Sequence, residues 1–266
     1  MHFECDFMPE LPDLQAFSRN LTKTLGGKKV VKIHAIYKKK LKTPEEELQR
    51  AIMGAVLTSV YREGKELHFR FDNGNILGLH MMLKGQLHYF QKKNDHKQTI
   101  IELLFNDGTG LALTDFQKQA TPTLNPQPVE APDALSGKAD FRFLKEKLNN
   151  TKTPVKKLLT NQKVIRGIGN AYADEILWHA RISPFAISNK IPDAAIRQLV
   201  KSIKAVFVKA EKAILKSDPD IIGGEIRDFL SIHNPAKTHS PTGAKILKDE
   251  SSGRKTYYTN EQEEWN

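Results

Sequence analysis

The chain has 266 residues with 41 Lys+Arg against 31 Asp+Glu, a net charge of +10, and a single cysteine. Its 39% hydrophobic residues can fill one large or two medium cores, which excludes wholesale disorder. One cysteine excludes an internal disulfide and a zinc site made of cysteines alone, and no short Cys/His ligand pairs occur. We therefore expect no metal and no cofactor.

No stretch approaches the roughly 20 consecutive apolar residues of a membrane span, and the first residues lack the build of a signal peptide. We expect a cytoplasmic protein with no membrane partner. The charge is uneven: residues 1–137 carry 18 basic and 16 acidic side chains, and residues 138–266 carry 23 and 15. The basic second half suggests a polyanionic partner, although a solvated cationic surface is a common alternative.

The first half indicates one helix followed by a mostly antiparallel sheet. Residues 12–25 place apolar side chains at helical spacing after a proline in the first turn. Strand-like alternation follows in Lys29–Tyr37, Val56–Tyr61 and Glu66–Phe71. Asp72-Asn-Gly74 and Asn106-Asp-Gly108 are typical of hairpin turns between such strands.

The second half indicates a helical cluster behind a linker. Residues 121–137 contain four prolines without a sustained period, which is typical of an interdomain linker. Helical spacing then appears in 141–148, 155–159, 171–180 and 196–215. The last stretch, 233–266, is rich in turn residues and holds one short strand-like run, Thr256–Thr259.

The most informative segment is Leu158–Pro184. It reads as a helix, a Gly167-Ile-Gly169 turn that permits close backbone approach, and a second helix that begins at Asn170. A helix N-terminus presents unpaired N–H groups and a positive dipole to a phosphate. From spacing alone, an ordinary helical hairpin with a glycine turn is the safer interpretation.

Four segments together resemble the formamidopyrimidine-DNA glycosylase / endonuclease VIII family. Residues 158–184 resemble its helix-two-turn-helix motif, and Met8-Pro-Glu-Leu-Pro-Asp13 resembles its N-terminus. Arg62-Glu-Gly-Lys65 is similar to the turn with its catalytic lysine, and Gly253-Arg-Lys-Thr-Tyr-Tyr258 to its C-terminal hairpin. The matches follow the family's order over nearly the whole chain.

The resemblance implies an α+β fold. Its parts are an N-terminal antiparallel β-sandwich flanked by helices and a helical helix-two-turn-helix domain that ends in a β-hairpin finger. With the pattern above, this predicts a catalytic domain at 1–124, a linker at 125–137, a DNA-binding domain at 138–232 and a finger at 233–266.

The resemblance also implies a function, a DNA repair glycosylase with AP lyase activity. Family members flip a damaged base out of DNA, attack the sugar C1′ with the amine of the N-terminal proline and eliminate phosphates through a Schiff base. A neutral secondary amine is nucleophilic and forms an iminium that acts as an electron sink. By similarity, Pro9 is the nucleophile, Glu10 the general acid/base, and Lys65 a contact to the flanking phosphate.

The remaining residue roles implied by the resemblance concern DNA binding. Asn170 at the helix start beside Gly169, Lys156 and Arg254 would hold the phosphates around the flipped nucleotide, which is kept out of the stack at a cost of a few kcal/mol. The expected partner is damaged DNA with oxidised or abasic sites, and the protein is expected to be a monomer. Taken singly, Lys65 and Arg254 would read as solvated surface charges.

The family's proline directly follows the initiator methionine, whereas Pro9 has eight residues before it. Only a free α-amine can attack C1′, and the bulky His2 disfavours removal of Met1. We therefore expect translation to begin at Met8, so that removal of this methionine frees the proline amine.

The family's finger normally binds zinc through four cysteines. The aligning positions are His239, Thr242, Thr259 and Gln262, which do not form that site. This resembles the family's zincless-finger members, in which side-chain packing replaces the metal and the hairpin arginine is kept.

The residues that fill the gap left by the flipped base also differ. Leu83 stands where the family inserts an apolar wedge, although a core strand residue is an almost equally good interpretation. Gln117 and Gln119 replace an arginine and a phenylalanine, so no arginine is available to pair with an orphaned cytosine. The branch of the family that recognises 8-oxoguanine has a loop that caps this base, and the segment after Gly223–Asp228 is too short to contain it. The resemblance therefore implies oxidised pyrimidines or other atypical lesions as substrates.

Two other function classes remain open. One is a lesion-binding or monofunctional relative, with its proline blocked by the extension or with water activated by Glu10. The other is an RNA-binding protein that uses the same helix-turn motif, which would leave the N-terminal and lysine motifs unexplained.

Overall fold

The computed structural model describes residues 8–251 and 253–266, with the side chain of Lys40 excepted. The expected extension before Met8, with Cys5, lies outside the described residues. The described residues form two compact units. One contains residues 8–9, Asp13–Pro128 and Ser217–Glu225, and the other contains Glu10–Pro12, Val129–Lys216 and Ile226–Asn266. The division between Pro128 and Val129 falls inside the predicted linker.

Two four-stranded antiparallel sheets build the first unit, as predicted. Their orders are β1-β6-β7-β5 and β2-β3-β4-β8. The strands are β1 (Val30–Ala35), β2 (Leu57–Glu63), β3 (Glu66–Phe71), β4 (Ile76–His80), β5 (Gln86–Gln91), β6 (Thr99–Phe105), β7 (Thr109–Thr114) and β8 (Thr121–Leu124). The apolar side chains that alternate in the sequence, such as Leu67, Phe69 and Phe71 of β3, are buried.

Two helices accompany the sheets. Helix α1 (Leu11–Leu25) confirms the predicted first helix, and its apolar side chains at helical spacing are buried. Helix α2 (Glu45–Ile52) was not predicted. It has only two turns and buries only two apolar side chains, Leu48 and Ile52, so its periodicity was too short to recognise.

Strand β8 corrects the reading of 121–137 as linker throughout. Residues 121–124 pair with β4, and Pro122 lies opposite Leu79. The strand is at the edge of its sheet, where a proline removes no interior ladder bond. The prolines that suggested a linker are therefore compatible with an edge strand.

The register brings three connections to one end of the first unit. Leu67 of β3 pairs with Leu79 of β4, so the turn at 64–65 lies beside the start of the loop 81–85. That loop runs between His80 and Gln86, which pair with Thr121 and Thr114, the two residues that flank the loop 115–120. The loops 81–85 and 115–120 are therefore neighbours.

The second unit is helical, as predicted. Its helices are α3 (Phe141–Asn149), α4 (Val155–Leu159), α5 (Asn170–His179) and α6 (Asp193–Ser217). Their apolar faces form one core around Tyr172, whose ring packs on Phe207 with centroids 5.6 Å apart. A hairpin of β9 (Leu247–Asp249) and β10 (Thr256–Tyr258) completes the unit, and β10 confirms the predicted C-terminal strand.

No helix among the described residues is both long and apolar enough to cross a membrane.

Candidate active site and nucleic-acid interface

The turn between α4 and α5 is shaped by its own side chains. Gly167 has a positive φ of 99°, which favours glycine, and a Cβ there would come within 2.6 Å of the Leu11 side chain. The amide of Gln162 accepts a hydrogen bond from Gly167 N at 2.9 Å and donates one to Ile168 O at 2.7 Å. These hydrogen bonds fix the backbone of the turn that leads into α5.

Glu10 lies at the N-terminus of α5. Ala171 N donates a hydrogen bond to Glu10 Oε1 at 3.1 Å, and the side chain is only 5% exposed. A Cβ on Gly169 would lie 2.2 Å from the carboxyl carbon of Glu10, so only glycine leaves room for this carboxylate. The positive end of the helix stabilises the negative charge. Gly169 therefore positions Glu10.

Pro9 is buried and directly precedes Glu10 in the chain. With Met8 attached, its nitrogen is an amide nitrogen without a nucleophilic lone pair. The chemistry that Pro9 can perform depends on removal of everything before it.

Lys156 and Asn170 both contact the start of β10. Lys156 Nζ lies 2.7 Å from Asp174 Oδ1, 2.8 Å from Thr256 Oγ1 and 3.3 Å from Lys255 O. Asn170 Nδ2 donates to the same Lys255 carbonyl at 2.8 Å. The buried Lys156 ammonium therefore makes two hydrogen bonds to the start of β10 and an ion pair with Asp174.

Asp174 is a buried carboxylate on α5 that joins three elements. One oxygen faces Lys156 of α4. The other lies 2.7 Å from His233 Nδ1 and accepts a hydrogen bond from Tyr257 N at 2.9 Å. The adjacent Glu175 accepts hydrogen bonds from the backbone N–H groups of residues 231–233 at 2.7–2.8 Å.

The sequence motif gave no role to either carboxylate. A signal was present, because two adjacent acids in an otherwise apolar helix are rarely buried without partners. Apart from Lys156, however, their partners come from 231–233 and from the hairpin, more than 50 residues later. The pairing was therefore invisible in the local pattern.

The hairpin places Arg254 and Lys255 just before β10, and both side chains are exposed. Arg254 thus lies in a turn whose Lys255 carbonyl accepts hydrogen bonds from Lys156 and Asn170. The structure brings Glu10, Gly169, Asn170 and Lys156 to one end of α5, with the Arg254 turn hydrogen-bonded to it.

Glu261 joins two of the four positions that align with the family's zinc ligands, Thr242 and Thr259. Thr242 Oγ1 and Thr259 Oγ1 donate to Glu261 Oε2 at 2.7 and 3.3 Å, and Arg181 Nη1 lies 2.9 Å from Glu261 Oε1. The hydrogen bond from Thr242 and the charge of Arg181 lower the pKa of Glu261 to about 2. An ionised carboxylate therefore joins Thr242, Thr259 and Arg181.

The other two aligned positions contribute differently. Gln262 Oε1 accepts a hydrogen bond from Thr259 N at 2.8 Å, and its amide donates to Ile182 O at 2.7 Å. His239 Nδ1 lies 3.0 Å from Thr238 Oγ1. Within residues 8–251 and 253–266, no three His, Cys, Asp or Glu side chains are grouped to hold a metal ion. The zincless character of the finger stays a prediction.

Lys65 and Leu83 lie in the first unit. Lys65 is half-exposed in the turn between β2 and β3. It is close enough to His80 that its charge adds to burial, the larger cause, in lowering the pKa of that histidine. Leu83 is 42% exposed in the loop 81–85. The alternative reading of Leu83 as a core strand residue is therefore wrong.

Two family models match the chain. The formamidopyrimidine-DNA glycosylase N-terminal domain matches residues 8–121, and the H2TH domain of the same proteins matches residues 131–217. Together they span most of the chain, and each covers one of the regions that carry the sequence motifs.

Relatives match at full length. A formamidopyrimidine-DNA glycosylase of Lactococcus lactis is 29% identical over 260 residues, 91% of each chain. One of Streptococcus pneumoniae is 27% identical, over 94% of this chain and 97% of its own. A solved complex of Lactococcus lactis Fpg with abasic-site DNA has a TM-score of 0.86 at 25% identity, covering 96% of this chain and all of that one. A complex of that protein with DNA containing an oxidised pyrimidine also scores 0.86, at 26% identity.

Proposed function

The chain belongs to the formamidopyrimidine-DNA glycosylase / endonuclease VIII family, and on this premise we propose that it removes damaged bases from DNA and nicks the strand at the abasic site. The Glu10 carboxylate at the start of α5, next in the chain to Pro9, carries this proposal. The relatives' names and their complexes with damaged DNA support it. The protein acts as a monomer on DNA in the cytoplasm.

The first half of the proposed reaction exchanges one bond at C1′ for another. The amine of Pro9, freed at a start on Met8, forms an N–C1′ bond while the glycosidic bond breaks and the base leaves with a proton. Glu10 protonates the sugar ring oxygen, the ring opens, and the Pro9 nitrogen becomes an iminium. That the match to the N-terminal model begins at residue 8 supports this start.

In the second half, the iminium accepts the electron pair released when a base removes a proton from C2′. The 3′ phosphate leaves in this β-elimination, a δ-elimination releases the 5′ phosphate, and water hydrolyses the iminium to regenerate the amine. Glu10 is one residue from the nitrogen, so a single carboxylate can transfer protons in both halves.

Phosphate contacts come from both units in this proposal. Lys65 binds the flanking phosphate in the first unit, and Asn170 and the exposed Arg254 do so in the second. Lys156 is buried and already bonded to Thr256 and Lys255, so in this proposal a direct phosphate contact replaces its longer hydrogen bond, the one to Lys255 O at 3.3 Å. Lys156 in addition holds the turn that carries Arg254.

Strand nicking and base release on duplexes with an oxidised pyrimidine or an abasic site test the proposed function. Glu10→Gln should lower nicking about 10²- to 10⁴-fold, as expected for loss of a general acid/base. The control is Glu146→Gln, which changes an exposed carboxylate on α3 that pairs with the adjacent Lys147. Full nicking by Glu10→Gln would remove this carboxylate from the mechanism.

Salt dependence tests the DNA contacts separately. Each phosphate that a cation neutralises contributes about 0.9 to the slope of log affinity against log salt for duplex DNA. Arg254→Gln should reduce that slope by about one. An unchanged slope would show that Arg254 binds no phosphate.

A further inference from the structure

The solvent-facing side of α6 is strongly basic. Its exposed cations are Arg197, Lys201, Lys204, Lys209, Lys212 and Lys216. The structure describes this helix throughout, and after Asp193 at its start none of its exposed residues is acidic, since Glu211 is half-buried. Asp193 itself is paired with Lys145 at 2.7 Å. Charge of one sign along a helix attracts a partner of the opposite sign.

Apolar side chains interrupt these cations at regular intervals. Residues four apart on a helix are neighbours on its surface. Two such rows lie side by side, each with an apolar residue between two lysines: Lys201, Ala205, Lys209 and Lys204, Val208, Lys212. Val208 is 39% exposed, and Ala205 is exposed as well. These six residues, called the α6 surface below, therefore offer both charge and apolar contact.

A pocket of about 150 Å³ adjoins the α6 surface, and Ala205 and Lys209 line both. The walls of the pocket consist largely of aromatic and apolar side chains from α5, α6 and the segment after α6: Tyr172, Trp178, Val206, Ala210, Phe229 and Leu230. An apolar cavity of this order of volume can hold a benzene-sized group. The pocket therefore has room for one aromatic side chain.

Hydrogen bonds between elements hold the walls of this pocket in place. Glu175 of α5 accepts a hydrogen bond from Ser231 N at 2.8 Å, and His179 Nδ1 at the end of α5 lies 2.8 Å from Ser202 Oγ of α6. Burial, the larger cause, and the charge of Lys209 lower the pKa of His179, so its ring is neutral at neutral pH. A preformed pocket loses little entropy when it is filled.

We propose that the α6 surface and the adjoining pocket bind an acidic segment of another protein, with the carboxylates of that segment on the lysines and one of its aromatic side chains in the pocket. The phosphate backbone of duplex DNA matches the lysines but carries no apolar group for the pocket. The inference goes beyond the proposed function, because no residue of the α6 surface belongs to the site at the start of α5.

Binding is measured on the full chain, without DNA, by fluorescence anisotropy of a labelled short peptide of aspartates around one phenylalanine. Wild type should bind this peptide at low salt. Replacing the phenylalanine of the peptide with alanine should weaken binding about 10- to 100-fold, as expected when one aromatic side chain is no longer buried. Added salt should weaken the binding of both peptides, because it screens exposed charges.

Ala205→Trp tests the pocket. It places a bulky side chain at the pocket from an exposed helix position and leaves every charge unchanged. The variant should bind the phenylalanine peptide no better than the alanine peptide. The control, Ala194→Trp, puts the same side chain on an exposed position in the first turn of α6 and should keep the difference between the peptides.

The lysines are tested by reversing two charges of the α6 surface. Lys204→Glu combined with Lys209→Glu should weaken binding of both peptides about 10-fold or more, because like charges then face each other. The control is Lys152→Glu combined with Lys190→Glu, which gives the same net charge through two exposed lysines outside α6. It should bind the peptides more tightly than the α6 variant does.

The inference is wrong if wild type binds neither peptide, if it binds both equally, or if the α6 variants bind them like their controls. It is also wrong if reversing Lys204 and Lys209 weakens binding to abasic duplex more than the control does, since the α6 surface would then bind DNA. Nicking of abasic duplex reports the proposed function separately. Peptide binding without nicking would remove only the proposed function, and nicking without peptide binding would remove only this inference.

Discussion

The start of α5 and the finger, both in the second unit, differ in whether they contain the residue types that the family resemblance implies. At the start of α5, the residue types that the family resemblance implies are present, and the Glu10 carboxylate fits against Gly169 with no room for a Cβ. In the finger, the implied cysteines are replaced, and two of those positions, Thr242 and Thr259, are joined instead by hydrogen bonds to Glu261. A site that acts on a substrate requires particular residue types. A structural junction requires only that its segments stay bonded to each other, which different residue types can achieve.

Asp174 links these two regions, so its removal should have the largest effect. The carboxylate is buried and faces Lys156, His233 and the Tyr257 N–H. Removing one partner of a buried ion pair leaves an uncompensated charge and costs about 3–5 kcal/mol. Asp174→Ala should lower the free energy of unfolding by that amount in denaturant titrations.

The matched control is Asp193→Ala. Asp193 pairs with Lys145 at 2.7 Å, and both side chains are well exposed. Exposed pairs contribute about 0–1 kcal/mol. Equal losses of unfolding free energy in the two variants would show that the buried Asp174 contributes no more to stability than an exposed ion pair does.

Gly169→Ala should come next, through activity and not through stability. The added Cβ overlaps the Glu10 carboxyl group and must displace it. A misplacement of about 1 Å in an active site costs about 10²-fold in rate. Nicking of abasic duplex should fall by that factor.

Gly137→Ala supplies the comparison, because a Cβ at that position meets nothing within 4 Å. Its nicking rate should equal that of wild type. A fully active Gly169→Ala variant would show that catalysis does not depend on the position of Glu10.

Glu261→Gln should give the smallest effect, a lowered melting temperature that depends on pH. The folded-state pKa of Glu261 is lowered from 4.5 to about 2. The ionised carboxylate therefore stabilises the fold fully above its ordinary pKa, and this contribution is lost as the pH falls from about 4.5 toward about 2. The difference in melting temperature between variant and wild type should be constant from pH 7 to 5 and shrink below pH 4.5.

Glu263→Gln, an exposed neighbour in the same segment, is the control and should melt like wild type at each pH. A Glu261→Gln difference that persists unchanged to pH 3 would contradict the assigned role of the charge.

The sequence predicted most of the fold, because periodicity is a local signal. Helix α5 begins at Asn170 as predicted, and β3 spans Glu66–Phe71 as predicted. The short α2 and the proline-containing edge strand β8 were missed, since one lacks length and the other takes its stability from a partner strand. Glu10 and Asn170 could be named from motifs, whereas Asp174 could not, because its partners His233 and Tyr257 are distant in sequence.

Covalent trapping on abasic duplex tests the central claim, attack by the Pro9 amine, most directly. Proteins that start at Met8 and at Met1 are incubated with the duplex and borohydride, and intact mass establishes each N-terminus. The account predicts an adduct from the Met8-start protein that is lost on Pro9→Gly, and none from a protein that retains Met1. An adduct from the protein with Met1 retained, or none from a protein with a free Pro9 amine, would contradict it.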